Sequence, residues 1–176
     1  MTMWSPIDIL GRIRNGLVEQ DQLLRDQHAV RGIDSLHETG LHPFVAQAFT
    51  TESPLVVREA YYPSARLELP RGSQRDRCDL VLLPEGKKSL YDPVDAHKAL
   101  KSADGTLFEA VASLPVIGAY ECDPTEAYWI EIKVIAQNKY VDGVPGPNTK
   151  YAHELLSGPS ADVVKLASES QIRYAG

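Results

Sequence analysis

The sequence of 176 residues has only two cysteines and no apolar run that approaches the ~20 residues of a membrane-spanning helix. Cys78 and Cys122 lie far apart and do not have the spacing of a metal-binding pair. Two cysteines without a disulfide framework favour a reducing compartment. The first residues also lack the positive charge and the apolar core of a secretory signal peptide. We therefore expect a cytoplasmic protein that does not attach to a membrane.

The sequence also lacks the motifs that most often reveal catalysis. It has no Gly-x-Ser-x-Gly nucleophile motif, no phosphate-binding loop and no glycine-rich dinucleotide turn. The two cysteines are expected in the core rather than as nucleophiles. The histidines show no metal-binding spacing, and surface or helix-capping roles are expected for all five: His28, His37, His42, His97 and His153. The search for chemistry therefore turns to carboxylates and amines.

The composition indicates a folded protein. A hydrophobic content of 43% and a charged content of 24% are typical of globular rather than disordered chains. The length suits one domain, which we expect to span residues 1–176. The formal net charge of -6 gives no general attraction to nucleic acid, although a local basic stripe or bound cations can still create a binding surface.

Helix signals dominate the first fifty residues. Ser5 and Pro6 are typical of an N-cap and a first helical position, so we predict an N-terminal helix over about residues 5–27. A capping-box pattern begins at Ser35, but Pro43 disfavours a helix interior. The second helix is therefore predicted to start near residues 40–43, with Glu38 at or just before its N-terminus.

Strand signals follow. Residues 55–62 and 77–83 are hydrophobic, each run is closed by a proline, and together they predict a hairpin or meander. Residues 84–126 are interpreted as an insertion before a third strand at 128–134. Further helices are predicted from shorter patterns, at residues 94–101, 107–112, 148–156 and from 160 onward. No final strand is predicted after them.

The third strand carries an unusual face. Side chains alternate along a strand, so Tyr128, Ile130, Ile132 and Val134 would share one apolar face. Glu131 and Lys133 would share the other face with Trp129. Burying an unpaired charge costs several kcal/mol, so this face is expected to form a polar site or to face solvent. We favour a polar site.

The order of helix, strand, strand with Asp79, strand with Glu131-Ile132-Lys133 and helix resembles the PD-(D/E)XK nuclease superfamily, which has the restriction-endonuclease-like fold. The resemblance implies an α/β fold with a mixed central β-sheet flanked by helices. It implies that Asp79 and Glu131 bind a metal, with Lys133 beside them. It also offers Glu38 as a helix carboxylate of the metal site and Gln137, with Tyr140 nearby, as a further catalytic residue.

The implied chemistry explains these residue types. Hydrolysis of a DNA phosphodiester requires an activated water and neutralisation of developing charge, and Mg²⁺ or Mn²⁺ held by carboxylates supplies both. Lys133 would orient the water or help to deprotonate it, and would hold the phosphate. A second Glu-x-Lys sequence at residues 85–87 follows Pro84 and contains Gly86, so it is interpreted as a turn.

The most basic stretch of the chain contains Arg66, Arg71, Arg75 and Arg77, which are expected to contact the phosphate backbone of DNA rather than its bases. The sequence also allows other interpretations. The alternative role for Asp79 is an ion pair with Arg75 or Arg77, and the alternative for Glu131 and Lys133 is a surface ion pair. The chain could accordingly be a non-catalytic nuclease-like module that binds a protein or a nucleic acid, a plain globular domain, or half of a homodimer.

Overall fold

The computed structural model describes residues 4–30, 32–49, 54–63, 75–107, 116–141 and 144–176, except for the side chains of residues 140, 141 and 145. The chain within these ranges forms a mixed α/β fold, as the sequence predicts. The helices in the described ranges are α1 Pro6–Asp26, α2 Glu38–Gln47, α3 Pro93–Ala103 and α4 Tyr151–Ser168, with a short 3-10 helix at Ile33–Ser35.

The described strands form one main sheet and two small ones. The strands are β1 Leu55–Tyr61, β2 Arg77–Leu83, β3 Ser89–Leu90, β4 Glu121–Cys122, β5 Tyr128–Ile130, β6 Asn138–Val141, β7 Val144–Pro147 and β8 Tyr174–Ala175. The main sheet has the order β1-β2-β5-β8. Its first three strands are antiparallel neighbours, and β8 runs parallel to β5. The sheet is therefore mixed.

Helices cover both faces of this sheet. Leu80, Leu82 and Ile130 pack in one hydrophobic cluster with Val45 of α2 and Ile9 of α1. Val81, Leu83 and Trp129 pack in a second cluster with Leu166 of α4. Because neighbouring strand residues point to opposite faces, α1 and α2 lie on one side of the sheet and α4 lies on the other.

The first two helices begin where local capping allows. The Ser5 hydroxyl accepts a hydrogen bond from the Asp8 N–H, and Pro6 occupies the first turn of α1. Helix α2 begins at Glu38, earlier than the predicted start near residues 40–43, and it contains Pro43. Its first turn is closed by a bond from the Gly40 N–H to the His37 carbonyl, 2.8 Å long. Glu38 thus lies in the first turn, as expected.

Strand β5 is shorter than predicted. The ladder with β2 ends at the pair Leu80 and Ile130, so residues 131–134 are outside the strand. The side chain of Asp79 explains the break, because its Oδ2 accepts the Ile132 N–H at 2.6 Å in place of a backbone partner. The two strands separate at the point where the charged residues of the motif follow.

The C-terminal half differs from the prediction in two respects. Helix α4 is continuous from Tyr151 to Ser168 and contains Pro159, where a break was predicted. The Ser160 hydroxyl donates to the Leu156 carbonyl in this region. The prediction of no final strand is also wrong. Gly176 extends the pairing of β8 with β5, because its N–H donates to Trp129 O and its carbonyl accepts the Glu131 N–H.

Residues 84–126 lie between two paired strands, β2 and β5, and contain β3, α3 and β4. The predicted helix at 94–101 corresponds to α3, which Asp92 caps through the N–H groups of Val94 and Asp95. The predicted helix at 107–112 lies almost entirely outside the described residues. Gly86 has a positive φ of 82° in a turn, as interpreted for residues 85–87. Within the described ranges, no helix combines the length and apolar character that crossing a membrane requires.

Candidate metal centre

Both β1 and β2 change face at the level of Glu59 and Asp79. Val57 and Ala60 are three residues apart yet pack against the same cluster, which regular alternation would forbid. Glu59 lies between them in the left-handed region, with a φ of 53°. A non-glycine residue in this region is uncommon and costs on the order of 1 kcal/mol or more. This local change of face sends the Glu59 carboxylate towards α2.

His42 is the buried centre of the resulting group. Its side chain is only 2% exposed, and its Nδ1 lies 3.3 Å from Glu59 Oε1. Its Nε2 lies 3.4 Å from Asp79 Oδ1 on the other side of the ring. Neither ring nitrogen has a hydrogen bond of acceptable geometry within the described structure. Buried polar atoms normally have partners, and a metal ion bound here would supply one for a ring nitrogen of His42.

A divalent metal ion fits this donor set. One ligand atom from each of His42, Glu59 and Asp79 can be chosen such that all three lie within 4.8 Å of one another. It is the one such group of three among the described residues. Three protein ligands leave coordination positions open for water and substrate. A single ion bonds only one ring nitrogen of His42. The other nitrogen would carry a proton and donate to a carboxylate oxygen that does not itself bind the ion, as is usual for metal-bound histidine.

Glu131 lies in a different environment. Its Oε1 accepts a short hydrogen bond from the Tyr62 hydroxyl and lies 3.1 Å from Lys165 Nζ of α4. The ammonium of Lys165 also lies 4.5 Å from the centre of the Tyr62 ring. Burial and the neighbouring Glu131 carboxylate raise the pKa of Tyr62, so its hydroxyl stays protonated and donates the bond.

Lys133 joins the two sides of the site. Its Nζ lies 3.1 Å from Glu38 Oε2 of α2 and 3.6 Å from Asp162 Oδ2 of α4. Burial alone would lower the pKa of Lys133, but the carboxylates of Glu38 and Asp162 outweigh it and the pKa is raised. Lys133 is therefore a cation at neutral pH rather than a base. Its side chain is 35% exposed, so solvent and ligands can reach the amine.

The basic stretch is only partly described, because Arg66 and Arg71 lie outside the described residues. Arg75 is 7% exposed, pairs with Asp92 Oδ2 at 2.6 Å and donates to the Tyr62 carbonyl at 2.6 Å. Its charge is thus used within the protein and not presented to solvent. Arg77 is exposed and donates to the Tyr61 hydroxyl at 2.7 Å, so its phosphate contact stays a prediction.

Gln137 is exposed and lies beyond the separated strands. No hydrogen bond within the described part of the chain joins its side chain to Asp79, Glu131 or Lys133, and its catalytic role stays a prediction. Its backbone carbonyl accepts the Asn148 N–H at 2.8 Å. The side chain of Tyr140, predicted nearby, lies outside the described residues.

Comparison of the chain with protein-family models, curated proteins and solved structures found no match. The site must therefore be judged on its own geometry. That geometry joins Asp79 to the Glu-x-Lys segment through the Ile132 N–H and joins Lys133 to Glu38. The expectation that Asp79 and Glu131 share one metal site is not met, because Glu131 turns to α4 while Asp79 turns to α2 on the opposite side of the sheet. Glu38 pairs with Lys133 and is not among the three ligands either.

The surface or capping role expected for His42 is wrong, because its side chain is only 2% exposed and lies between two carboxylates. The sequence left Glu59 open, either in the site or paired with Arg58 or a neighbouring strand. One signal for His42 was available, because Glu38 and His42 are four residues apart and so share one face of a helix. The helix prediction obscured it by starting α2 after Glu38. Glu59 gave no comparable signal, since its direction depends on a left-handed backbone conformation that the sequence does not reveal.

Proposed function

We propose that this protein is a metal-dependent nuclease that hydrolyses DNA phosphodiester bonds. The observation that carries the proposal is the position of the His42–Glu59–Asp79 group. It is one hydrogen bond away from the Glu131–Lys133 segment, through Asp79 Oδ2 and the Ile132 N–H. Asp79 of the candidate metal site thereby contacts the backbone between Glu131 and Lys133, whose ammonium is partly exposed.

The topology supports the same proposal. Apart from α1, α3 and the two small sheets, the elements occur in the order α2, β1, β2, β5, α4 and β8, which is a helix, three antiparallel strands, a second helix and a parallel fourth strand. The proposed resemblance to the restriction-endonuclease-like fold draws its support from the first five of these elements. A final strand, which the sequence did not predict, is present in the structure as β8.

The residues have distinct tasks in the proposed reaction. His42, Glu59 and Asp79 would hold the ion, which activates a water and neutralises charge on the phosphate when bound. Lys133, as a fixed cation near this group, would bind a non-bridging phosphate oxygen. Glu38 holds Lys133 from the α2 side. Glu131 would join the metal only by leaving Tyr62 and Lys165, which requires a change of its side-chain rotamer.

Cofactor choice follows from the donor set. Carboxylate oxygens suit both Mg²⁺ and Mn²⁺, whereas an imidazole nitrogen favours the later transition metals over Mg²⁺. Of the two ions expected from the sequence, we therefore propose Mn²⁺ as the better fit to His42, Glu59 and Asp79.

The test is a cleavage assay on linear duplex, circular and single-stranded DNA after treatment with a chelator, with Mn²⁺ or Mg²⁺ added back. We expect cleavage that needs metal and is lost in Asp79→Asn and Lys133→Gln. Asp95→Asn, which removes an exposed ion pair of α3, serves as the matched control and should cleave normally. Wild-type protein that cleaves no DNA with any of these ions would refute the proposal.

A second candidate has specific support. Glu131, Lys133 and Lys165 all have oppositely charged partners within the protein, as in a structural ion-pair network. We therefore retain the non-catalytic nuclease-like module, which binds a nucleic acid or a protein, as the alternative. It predicts DNA binding without cleavage, or neither, and no loss of function on metal removal.

A further inference from the structure

Helix α4 presents a row of residues to the segment that follows β5. Asp162 Oδ2 lies 3.6 Å from Lys133 Nζ, and Lys165 Nζ lies 3.1 Å from Glu131 Oε1. Gly158, one turn before Asp162, lies beside the stem of Lys133, so that an added Cβ would be in ordinary van der Waals contact with its Cγ and Cδ at 3.5 Å. Three positions on one helix face thus contact the two charged residues of the motif.

The spacing of these charges is matched. Residues three apart on a helix have Cβ atoms about 5–6 Å apart. Residues two apart on an extended chain are separated by roughly 6.5–7 Å. The pair Asp162 and Lys165 can therefore meet Lys133 and Glu131 at the same time, and each charge meets its opposite. The reverse order on either element would place like charges together.

The segment depends on these contacts because its backbone is sparsely held. Beyond Ile130 the ladder with β2 has ended. Within the described structure, the backbone anchors near the motif are the bonds from Glu131 N–H to Gly176 O and from Ile132 N–H to Asp79 Oδ2. The long side chain of Lys133 would otherwise sample many rotamers.

We propose that Asp162 is a positioning residue for Lys133, holding its ammonium against α4 as well as α2, with Lys165 holding Glu131 in the same way. The kinetic consequence rests on the proposed nuclease function, whereas the positioning contact does not. Among the described residues the ion-pair partner of Asp162 is Lys133 and not His42, Glu59 or Asp79, so its effect passes through Lys133.

The experiment compares Asp162→Asn and Asp162→Glu with wild type by two measurements. The first is the rate at which an amine-acylating reagent modifies Lys133 in the folded protein, with the extent of modification measured by mass spectrometry. The second is steady-state DNA cleavage with Mn²⁺. The matched control is Glu154→Gln, an acid-to-amide change on the same helix that removes the ion pair with Lys139, away from the motif.

In Asp162→Asn, we expect the reagent to acylate Lys133 severalfold faster than in wild type. We also expect kcat to fall by about tenfold to a hundredfold with little change in KM. Asp162→Glu should return both the acylation rate and kcat most of the way to their wild-type values. Glu154→Gln should behave as wild type in both measurements. Unchanged acylation in Asp162→Asn overturns the inference, as does faster acylation with an unchanged kcat in an active enzyme. If Asp162→Asn is acylated faster than wild type but the wild-type protein cleaves no DNA, the contact is supported and the nuclease function is refuted.

Discussion

Metal binding at His42, Glu59 and Asp79 should stabilise the fold measurably, and His42→Gln should abolish most of that effect. At an ion concentration about 100 times the Kd, the stabilisation is about 2.7 kcal/mol. A chain of 176 residues gains about 2–4 °C in Tm per kcal/mol. Mn²⁺ should therefore raise the Tm of the wild type by roughly 5–11 °C over its value in chelator.

The size of the loss in the variant follows from the same relation. If losing His42 weakens binding about 100-fold, as strong perturbations of metal sites do, the same ion concentration equals the new Kd. The stabilisation then falls to about 0.4 kcal/mol, or about 1–2 °C. A thermal melt readily distinguishes a Tm shift of about 5–11 °C in wild type from one of about 1–2 °C in His42→Gln.

The assay is a thermal melt of each variant with chelator and with excess Mn²⁺, so each variant is compared only with itself. A variant that loses stability without metal is therefore still informative. Asp79→Asn provides a second test, because the amide oxygen can still accept the Ile132 N–H. His153→Gln, at an exposed position on α4, is the matched control and should show the wild-type shift.

Two results would refute the reasoning. A wild-type Tm that is insensitive to Mn²⁺, Mg²⁺, Co²⁺ and Zn²⁺ would mean that the three side chains form only a histidine–carboxylate contact. An equal shift in wild type and His42→Gln would place the bound ion elsewhere.

Three further predictions concern the same structure. Calorimetric titration should give a lower Kd for Mn²⁺ than for Mg²⁺ in wild type, and His42→Gln should narrow that difference; an unchanged ratio would exclude His42 as a ligand. The free energy of unfolding should be about 1–2 kcal/mol higher in Glu59→Gly than in Glu59→Ala, because glycine tolerates the left-handed φ. Denaturant unfolding measures both variants, and equal values would contradict the strained conformation of Glu59. Burial raises the pKa of Glu169, whose Oε2 has no hydrogen-bond partner within the described structure. The folded state therefore binds the Glu169 proton more readily than the unfolded state does, and it loses stability as the pH rises above the ordinary pKa of a glutamate. Glu169→Gln should therefore be more stable than wild type at pH 7, with the difference disappearing below about pH 4, and urea unfolding at both pH values checks this.

The sequence predicted the parts of the fold that depend on local pattern. The limits of β2 at residues 77–83 agree with the structure, because the apolar residues 80–83 are followed directly by Pro84. The alternation of Tyr128, Trp129 and Ile130 between the two clusters also agrees. These features need only the period of a strand and the chemistry of a turn.

The remaining features depend on contacts between distant residues. The early end of β5 results from the Asp79 side chain capturing a backbone N–H, which no local pattern around residue 131 reveals. The two residues of β8 are too short to give a strand signal, and they pair only because β5 offers a free edge. His42 has a clear environment only once Glu59 is turned towards it.

The pairing of Gly176 with Trp129 and Glu131 ties the start of the Glu-x-Lys motif to a residue distant in sequence. Gly176 donates to the Trp129 carbonyl and accepts the Glu131 N–H, and a Cβ added at position 176 would lie 2.7 Å from the Tyr128 hydroxyl. Gly176→Ala would therefore weaken the hold on the motif while leaving every charged group in it unchanged.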